Sequence, residues 1–314
     1  MKKDINMIVI AGAGLMGSSM AQIFAQYGYK VILFDIFEEA IGKGKELITI
    51  NQKASIEEGS ITEELSKQII KNISFSTDVS CFSKADYVIE AIVEKLSIKK
   101  KFWEEVSAIA PEDSVLTTNT SGLSITKIAE AVKKPERFAG MHWVNPPHIV
   151  PLVEVISGDK TSQEAVEIAR DLAISIHKKP VIVKKDVKGF VLNRLQYAVL
   201  REALYIAEND IADLEDVDNV MKYGLGMRYA CIGPFETVDL GGLDTFYNVG
   251  SYLFDDLSNQ KGVPDLLKKC YEENAYGTKT GKGFYDYSNG RGEKVIEKRD
   301  KDFIKIAKCL YSDL

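Results

Sequence analysis

The run Ile5 to Ala11, followed at once by Gly12-Ala13-Gly14-Leu15-Met16-Gly17, leaves this chain few folds to choose from. An almost continuous apolar run of that length is a strand buried on both faces, as in a parallel sheet covered by helices. Ser18 to Tyr27 then shows helical periodicity. Between a strand and a helix the glycines serve three needs, a tight turn at Gly12, close approach of a pyrophosphate at Gly14, and close helix-to-strand packing at Gly17. The free amides and positive dipole end of the helix suit phosphates, and Leu15 and Met16 in the same loop join the candidate cofactor contacts. The next apolar run, Lys30 to Phe34, ends in Asp35. An acid there accepts from both adenosine ribose hydroxyls and repels a 2′-phosphate, so the expected cofactor is NAD rather than NADP.

With 314 residues the chain has material for two domains. Two charged, helix-forming stretches over 38–58 and 62–71, broken at Glu58-Gly59-Ser60, predict a helical hairpin inserted at the rim of the sheet. Its Lys43, Lys45 and Lys53 suit an anionic ligand tail or a solvated helix face. Strands are predicted near 73–76 and 86–90, a helix over 95–109, and a strand over 114–118. That strand runs out into Asn119-Thr120-Ser121-Gly122, a polar cluster at the carboxyl end of a sheet strand, where open α/β sheets bind ligands. Asn119 and Ser121 are therefore candidates to touch nicotinamide or substrate. The competing reading makes Ser121 or Ser124 the cap of a helix over 124–132. A helix over 162–175 and a strand at Val181-Ile182-Val183 follow. From Gly189 the pattern is helical throughout: one long helix to about Asn209, then 213–223, 233–256, 264–273 and 301–311. The expected architecture is a Rossmann-type α/β domain over 1–186 with the inserted hairpin, then an all-α domain over 187–314.

The segment Met141-His142-Trp143-Val144-Asn145-Pro146-Pro147, with Pro151-Leu152-Val153-Glu154-Val155-Ile156 after it, reads as strand, turn, strand. Pro146, Pro147 and Pro151 force the reversal because each fixes its backbone and lacks a donor. Strands running out and back bring His142 and Glu154 side by side. A carboxylate accepting from one imidazole nitrogen leaves the other as a base, which is machinery for taking a proton from a hydroxyl. The alternative is a core histidine beside a surface acid.

The net charge of −6 gives no electrostatic footprint for nucleic acid. No apolar run approaches the roughly 18 residues of a membrane helix, and Met1-Lys2-Lys3-Asp4 leads straight into a strand, so a cytoplasmic protein is expected. Cys81, Cys231, Cys270 and Cys309 have no paired or metal-type spacing, and His142, His148 and His177 suggest no metal cluster.

Taken together, the glycine turn, Asp35, Glu90-Ala91-Ile92-Val93-Glu94, Asn119-Thr120-Ser121, His142 to Pro146, Glu154, Gly189 to Arg194 and Lys279 to Tyr285 resemble the L-3-hydroxyacyl-CoA dehydrogenase family end to end. The resemblance implies an NAD domain and a helical domain through which two copies dimerise. It implies that His142 is the catalytic base, Glu154 its orienting partner, and Ser121 and Asn193 hydrogen-bonding partners of the substrate oxygen. Asn145 lies in the same motif, and Glu94 and Lys99 match cofactor-side positions. The implied substrate is a short-chain L-3-hydroxyacyl-CoA. Gly224 to Tyr229 and Asn193 to Ala198 look more like the branch with L-gulonate 3-dehydrogenase, lambda-crystallin and carnitine dehydrogenase, which act on free 3-hydroxy acids. On that reading Arg228 holds a bare carboxylate. Gly241 to Asp244, Gly281 to Tyr285 and Asn119 look more like the acyl-CoA enzymes. A non-catalytic NAD-binding protein is the alternative of another class, and the intact His142, Glu154, Ser121 and Asn193 argue against it.

Overall fold

β1 (Met7–Ala11) divides its side chains between two cores: Ile8 and Ile10 join one, Val9 and Ala11 the other. A strand apolar on both faces needs helices on both, and the computed structural model, which describes residues 4–57 and 59–311, supplies them. The remaining strands are β2 (Lys30–Phe34), β3 (Ile73–Ser76), β4 (Tyr87–Glu90), β5 (Val115–Thr118), β6 (Phe138–Trp143), β7 (Leu152–Ile156) and β8 (Lys179–Val183). Among the described residues they form one eight-stranded sheet in the order β3-β2-β1-β4-β5-β6-β7-β8. The first six positions of that order are parallel, β7 runs antiparallel to β6, and β8 runs parallel to β7.

Helices α1 (Leu15–Gln26), α2 (Glu38–Glu57), α3 (Glu63–Asn72) and α6 (Gln163–Ser175) cover one face, contributing Met20, Phe24, Ile41, Ile69 and Leu172 to its core. Helices α4 (Leu96–Ile109) and α5 (Ile125–Ala129) cover the other with Trp103, Val106 and Ile128. The strand order reverses between β1 and β4, so the crevice for a ligand opens at their carboxyl ends.

α2 and α3 are the inserted hairpin, with Thr62 capping α3 by accepting from Leu65 N at 3.1 Å. Of the predicted break, Glu58 lies outside the described residues, and Gly59 takes a left-handed φ of +69°. Lys43 pairs with Glu39 and Lys53 with Glu57 along α2, while Lys45 lies over the Phe75 ring. The last strand starts earlier than predicted, at Lys179, because an edge strand tolerates Pro180.

One compact unit of the chain reaches Asn193 and the second begins at Arg194. α7 (Leu192–Glu208) starts three residues after Gly189, since Phe190 takes φ +50° and holds the backbone out of the helix. The second unit continues with α8 (Leu214–Val220), a π-helical turn at Met221–Gly226, α9 (Met227–Tyr229), α10 (Pro234–Gly241), α11 (Leu243–Asp256), α12 (Asp265–Glu272) and α13 (Arg291–Leu310). The stretch 233–256, predicted as one helix, breaks at Gly242 with φ +90°. α13 begins ten residues before the predicted 301, and exposed pairs such as Lys301–Glu297 and Lys298–Asp302 support it along one face. No helix among the described residues is long and apolar enough to cross a membrane.

Candidate active site

β6 and β7 pair antiparallel with His142 directly opposite Glu154. The His142 Nδ1 lies 2.8 Å from Glu154 Oε2, and both side chains are buried. The other carboxylate oxygen, Oε1, accepts from the backbone N–H groups of Val191 and Leu192, both at 2.9 Å. Those amides are at the start of α7, where unsatisfied donors and the positive dipole end meet an anion. Burial pushes the Glu154 carboxyl up, but the bonds from His142, Leu192 and Val191 and the imidazole charge outweigh it, so its pKa falls below the ordinary carboxylate value. An ionised carboxylate only accepts, so Nδ1 carries a proton towards it and Nε2 is the nitrogen left for a ligand. Phe190, fully buried, sets its ring 5.8 Å from the imidazole.

The loop after β5 is held from two sides. Glu94 Oε1 accepts from the Ser121 N–H at 3.0 Å, from the Ser121 hydroxyl at 3.4 Å, and from the Thr120 hydroxyl. The Asn193 amide donates to the Ser121 carbonyl at 2.8 Å. Ser121 itself is exposed, and α5 is capped by Ser124, whose oxygen accepts from Lys127 N at 3.2 Å. Capping therefore makes no claim on the Ser121 hydroxyl. Asn119 accepts from Trp143 N at 2.8 Å, tying β5 to β6 beside His142. Asn145 is exposed in the reversal, before a cis bond to Pro146.

Lys99 is buried and directs its ammonium to Glu90 and, at 3.3 Å, to Glu94. Glu90 is fully buried and also accepts from Ile92 N at 3.0 Å, Thr118 Oγ1 at 2.7 Å and Trp103 Nε1 at 3.3 Å. Every acceptor site is used, as a buried carboxylate requires. The sequence alone assigns Glu90 no role; the one signal it offers is an acid ending the apolar run Tyr87-Val88-Ile89. At Glu94 burial raises the pKa, but Thr120, Lys99 and the Ser121 N–H together bring it below the usual value.

The family model described as 3-hydroxyacyl-CoA dehydrogenase, NAD binding domain, matches residues 7–187, and the C-terminal domain of the same family matches 189–287. The chain belongs to the 3-hydroxyacyl-CoA dehydrogenase family. It is 36% identical over 307 residues to 5-formyl-3-hydroxy-2-methylpyridine 4-carboxylate 5-dehydrogenase of Mesorhizobium japonicum, covering 98% of both chains. It is 38% identical over 285 residues to a probable 3-hydroxybutyryl-CoA dehydrogenase of Bacillus subtilis, covering 90% of this chain and 98% of that one. The crystal structure of a 5-formyl-3-hydroxy-2-methylpyridine 4-carboxylic acid 5-dehydrogenase, described as an NAD+-dependent dismutase, superposes with a TM-score of 0.91 at 35% identity, covering 98% of this chain and 99% of that one. The chain is an NAD-dependent oxidoreductase.

The glycine loop of this dehydrogenase fits that cofactor. Gly12 has φ +104°, and a Cβ there would meet the Ala91 carbonyl oxygen at 2.5 Å; a Cβ on Gly17 would meet the Gly12 oxygen at 1.8 Å. Gly14 faces open space, with no atom within 4 Å of where its Cβ would be, and no side chain caps α1. The helix amides are thus left for phosphate oxygens. Leu15 is exposed and Met16 half-buried at the same helix start. Asp35 accepts from Ala13 N at 2.9 Å and Phe37 N at 3.1 Å, placing its carboxylate at the end of β2. Arg228, in the second unit, is exposed on α9. Among the described residues no cluster of three or more His, Cys, Asp or Glu side chains is arranged to hold a metal.

Proposed function

We propose that this dehydrogenase oxidises the 3-hydroxyl of a short-chain L-3-hydroxyacyl-CoA, such as 3-hydroxybutyryl-CoA, reversibly to the 3-keto compound. The observation that carries this reading is the buried His142–Glu154 pair, bonded through Nδ1 at 2.8 Å. NAD, when bound, supplies the hydride acceptor. His142 Nε2 takes the hydroxyl proton as the hydrogen on carbon 3 departs as hydride, and in reverse it returns that proton to the ketone oxygen. Glu154 keeps the tautomer and favours the imidazolium that forms. The Ser121 hydroxyl and the Asn193 amide hydrogen-bond the substrate oxygen, and Asn145 and Asn119 line the approach to it. Gly12 to Gly17, Asp35 and Glu94 form the cofactor side, with Lys99 acting through Glu94. The helical domain carries the substrate contacts and the contact between two copies, and the protein works in the cytoplasm, apart from nucleic acid, in fatty acid metabolism.

A second reading has its own support. The pyridine carboxylate dehydrogenase matches 98% of the chain, and its substrate is a free acid rather than a thioester. On this reading the substrate is a small free carboxylate, and Arg228 is its counter-ion.

NADH oxidation by the purified protein, with acetoacetyl-CoA compared against free acetoacetate, 3-dehydrocarnitine and a formyl pyridine carboxylate, separates the two. Turnover of the thioester alone, unaffected by Arg228→Ala, establishes the acyl-CoA reading. Preference for the free acids, with a loss of about 30-fold or more on Arg228→Ala, establishes the second.

A further inference from the structure

Lys178, the residue before β8, is 8% exposed, and no carboxylate pairs with it among the described residues. Burial drives its ammonium from the ordinary lysine value down to about 8. A lone buried cation is costly unless its protons are used. Here Nζ donates to the carbonyl oxygen of Pro147 at 2.6 Å and to that of Val150 at 2.9 Å, and it lies 5.5 Å from the centre of the Trp143 ring.

Both carbonyls belong to the reversal between β6 and β7. Pro146, Pro147 and Pro151 deprive that segment of three backbone donors. Its internal closure rests on Ile149 N and Val150 N, which share the Pro146 oxygen at 3.1 and 2.9 Å. A turn so short of donors sets strand register poorly by itself, and register is what puts His142 opposite Glu154. We infer that Lys178 is a positioning residue for the catalytic pair: its ammonium clamps Pro147 and Val150 and so holds His142 and Glu154 in register. Lys178 touches neither of them. Trp143, adjacent to His142, packs its ring against the same ammonium, so the clamp reaches the end of β6 as well as the turn. The effect on turnover rests on His142 being the base; the effect on the geometry of the pair does not.

The test compares Lys178→Met, which keeps the apolar stem and removes the donors, with Lys178→Arg, which keeps them, and with Lys179→Met on the exposed neighbour. The readout is the downfield proton resonance of the His142 Nδ1–H, identified by its loss in His142→Asn, together with kcat and the KM for NADH. Lys178→Met is expected to shift or abolish the resonance and to lower kcat roughly 10- to 100-fold, with the KM for NADH within about two-fold. Lys178→Arg recovers part of both, and Lys179→Met changes neither. An unmoved resonance in folded Lys178→Met overturns the proposal whatever the activity. A shifted resonance with unchanged kcat leaves the clamp standing and removes His142 as the base. Should Lys178→Met fail to fold, Lys178→Gln, which retains a donor for one carbonyl, is read in the same way.

Discussion

The side-chain amide of Asn193 donates to the backbone carbonyl of Ser121 over 2.8 Å. On the other side the Ser121 N–H is held by Glu94 at 3.0 Å, so this exposed residue is fixed by both of its peptide groups. Asn193→Leu removes that support together with the donor proposed for the substrate oxygen. We expect kcat to fall about 100-fold, with NADH affinity retained, since one donor at a developing oxyanion is worth about that much. Steady-state kinetics alongside fluorescence titration of NADH would check it; unchanged kcat would remove Asn193 from the site.

Glu154→Gln preserves shape but not polarity. Glu154 Oε1 already accepts two N–H bonds, from Val191 and Leu192, so the amide oxygen must take that side and the NH2 must face His142. The imidazole then accepts at Nδ1 and carries its proton at Nε2, the wrong tautomer for a base. Turnover is expected to fall roughly 10²- to 10⁴-fold, as in the loss of a general base, with little change in KM.

Glu154 also ties stability to acidity. Its folded pKa lies below the ordinary carboxylate value, so its contribution is fully present above about 4.3 and is lost as pH falls through the folded pKa. The difference in melting temperature between wild type and Glu154→Gln should therefore be constant near neutrality and shrink on acidification below about 4. A gap that stays constant through that range would mean that folding leaves the Glu154 pKa unshifted.

Asp35 ends β2 with its carboxylate bonded to Ala13 N at 2.9 Å. Asp35→Ser removes the charge proposed to repel a 2′-phosphate and to accept from the ribose. The ratio of kcat/KM for NAD to that for NADP is expected to drop by about 10-fold or more, mostly through loss with NAD. Measuring both cofactors on one preparation decides it.

The helical unit leaves large apolar side chains uncovered: Phe235 is 86% exposed, and Tyr247, Phe254 and Leu240 more than three-quarters. We expect a second copy of the chain to cover them. A second copy covering them would give twice the 34.9 kDa chain mass in sedimentation equilibrium. Phe235→Glu with Tyr247→Glu should return the protein to the monomer mass; a monomeric wild type would refute the contact.

What is legible in the chain follows from how local each constraint is. The glycine loop and Asp35 announce themselves because strand, turn and helix are contiguous there. His142 and Glu154 can be paired because prolines leave only one place for the reversal. Glu90, Lys99 and Lys178 resist such a reading, since a charged residue beside an apolar run looks the same whether it faces solvent or a buried partner supplied from elsewhere. Glu90 takes its partners from β5 and α4, and Lys178 from a turn some thirty residues earlier. The start of α13 is hidden by Gly290 and Gly292, which read as turn; Gly290, at φ +76°, is the cap and not the interior.

The two amides that hold Glu154 come from residues 191 and 192, beyond the point where the matched family models change over between 187 and 189. A boundary drawn where the two family models meet therefore separates Glu154 from the amides that hold it. A chimaera joined at 188 would graft onto this sheet a helix start, and an Asn193 counterpart, selected alongside another protein's acid and serine loop. Joined after Asn193 it would keep His142, Glu154, the amides of Val191 and Leu192, and the Asn193–Ser121 bond in one piece.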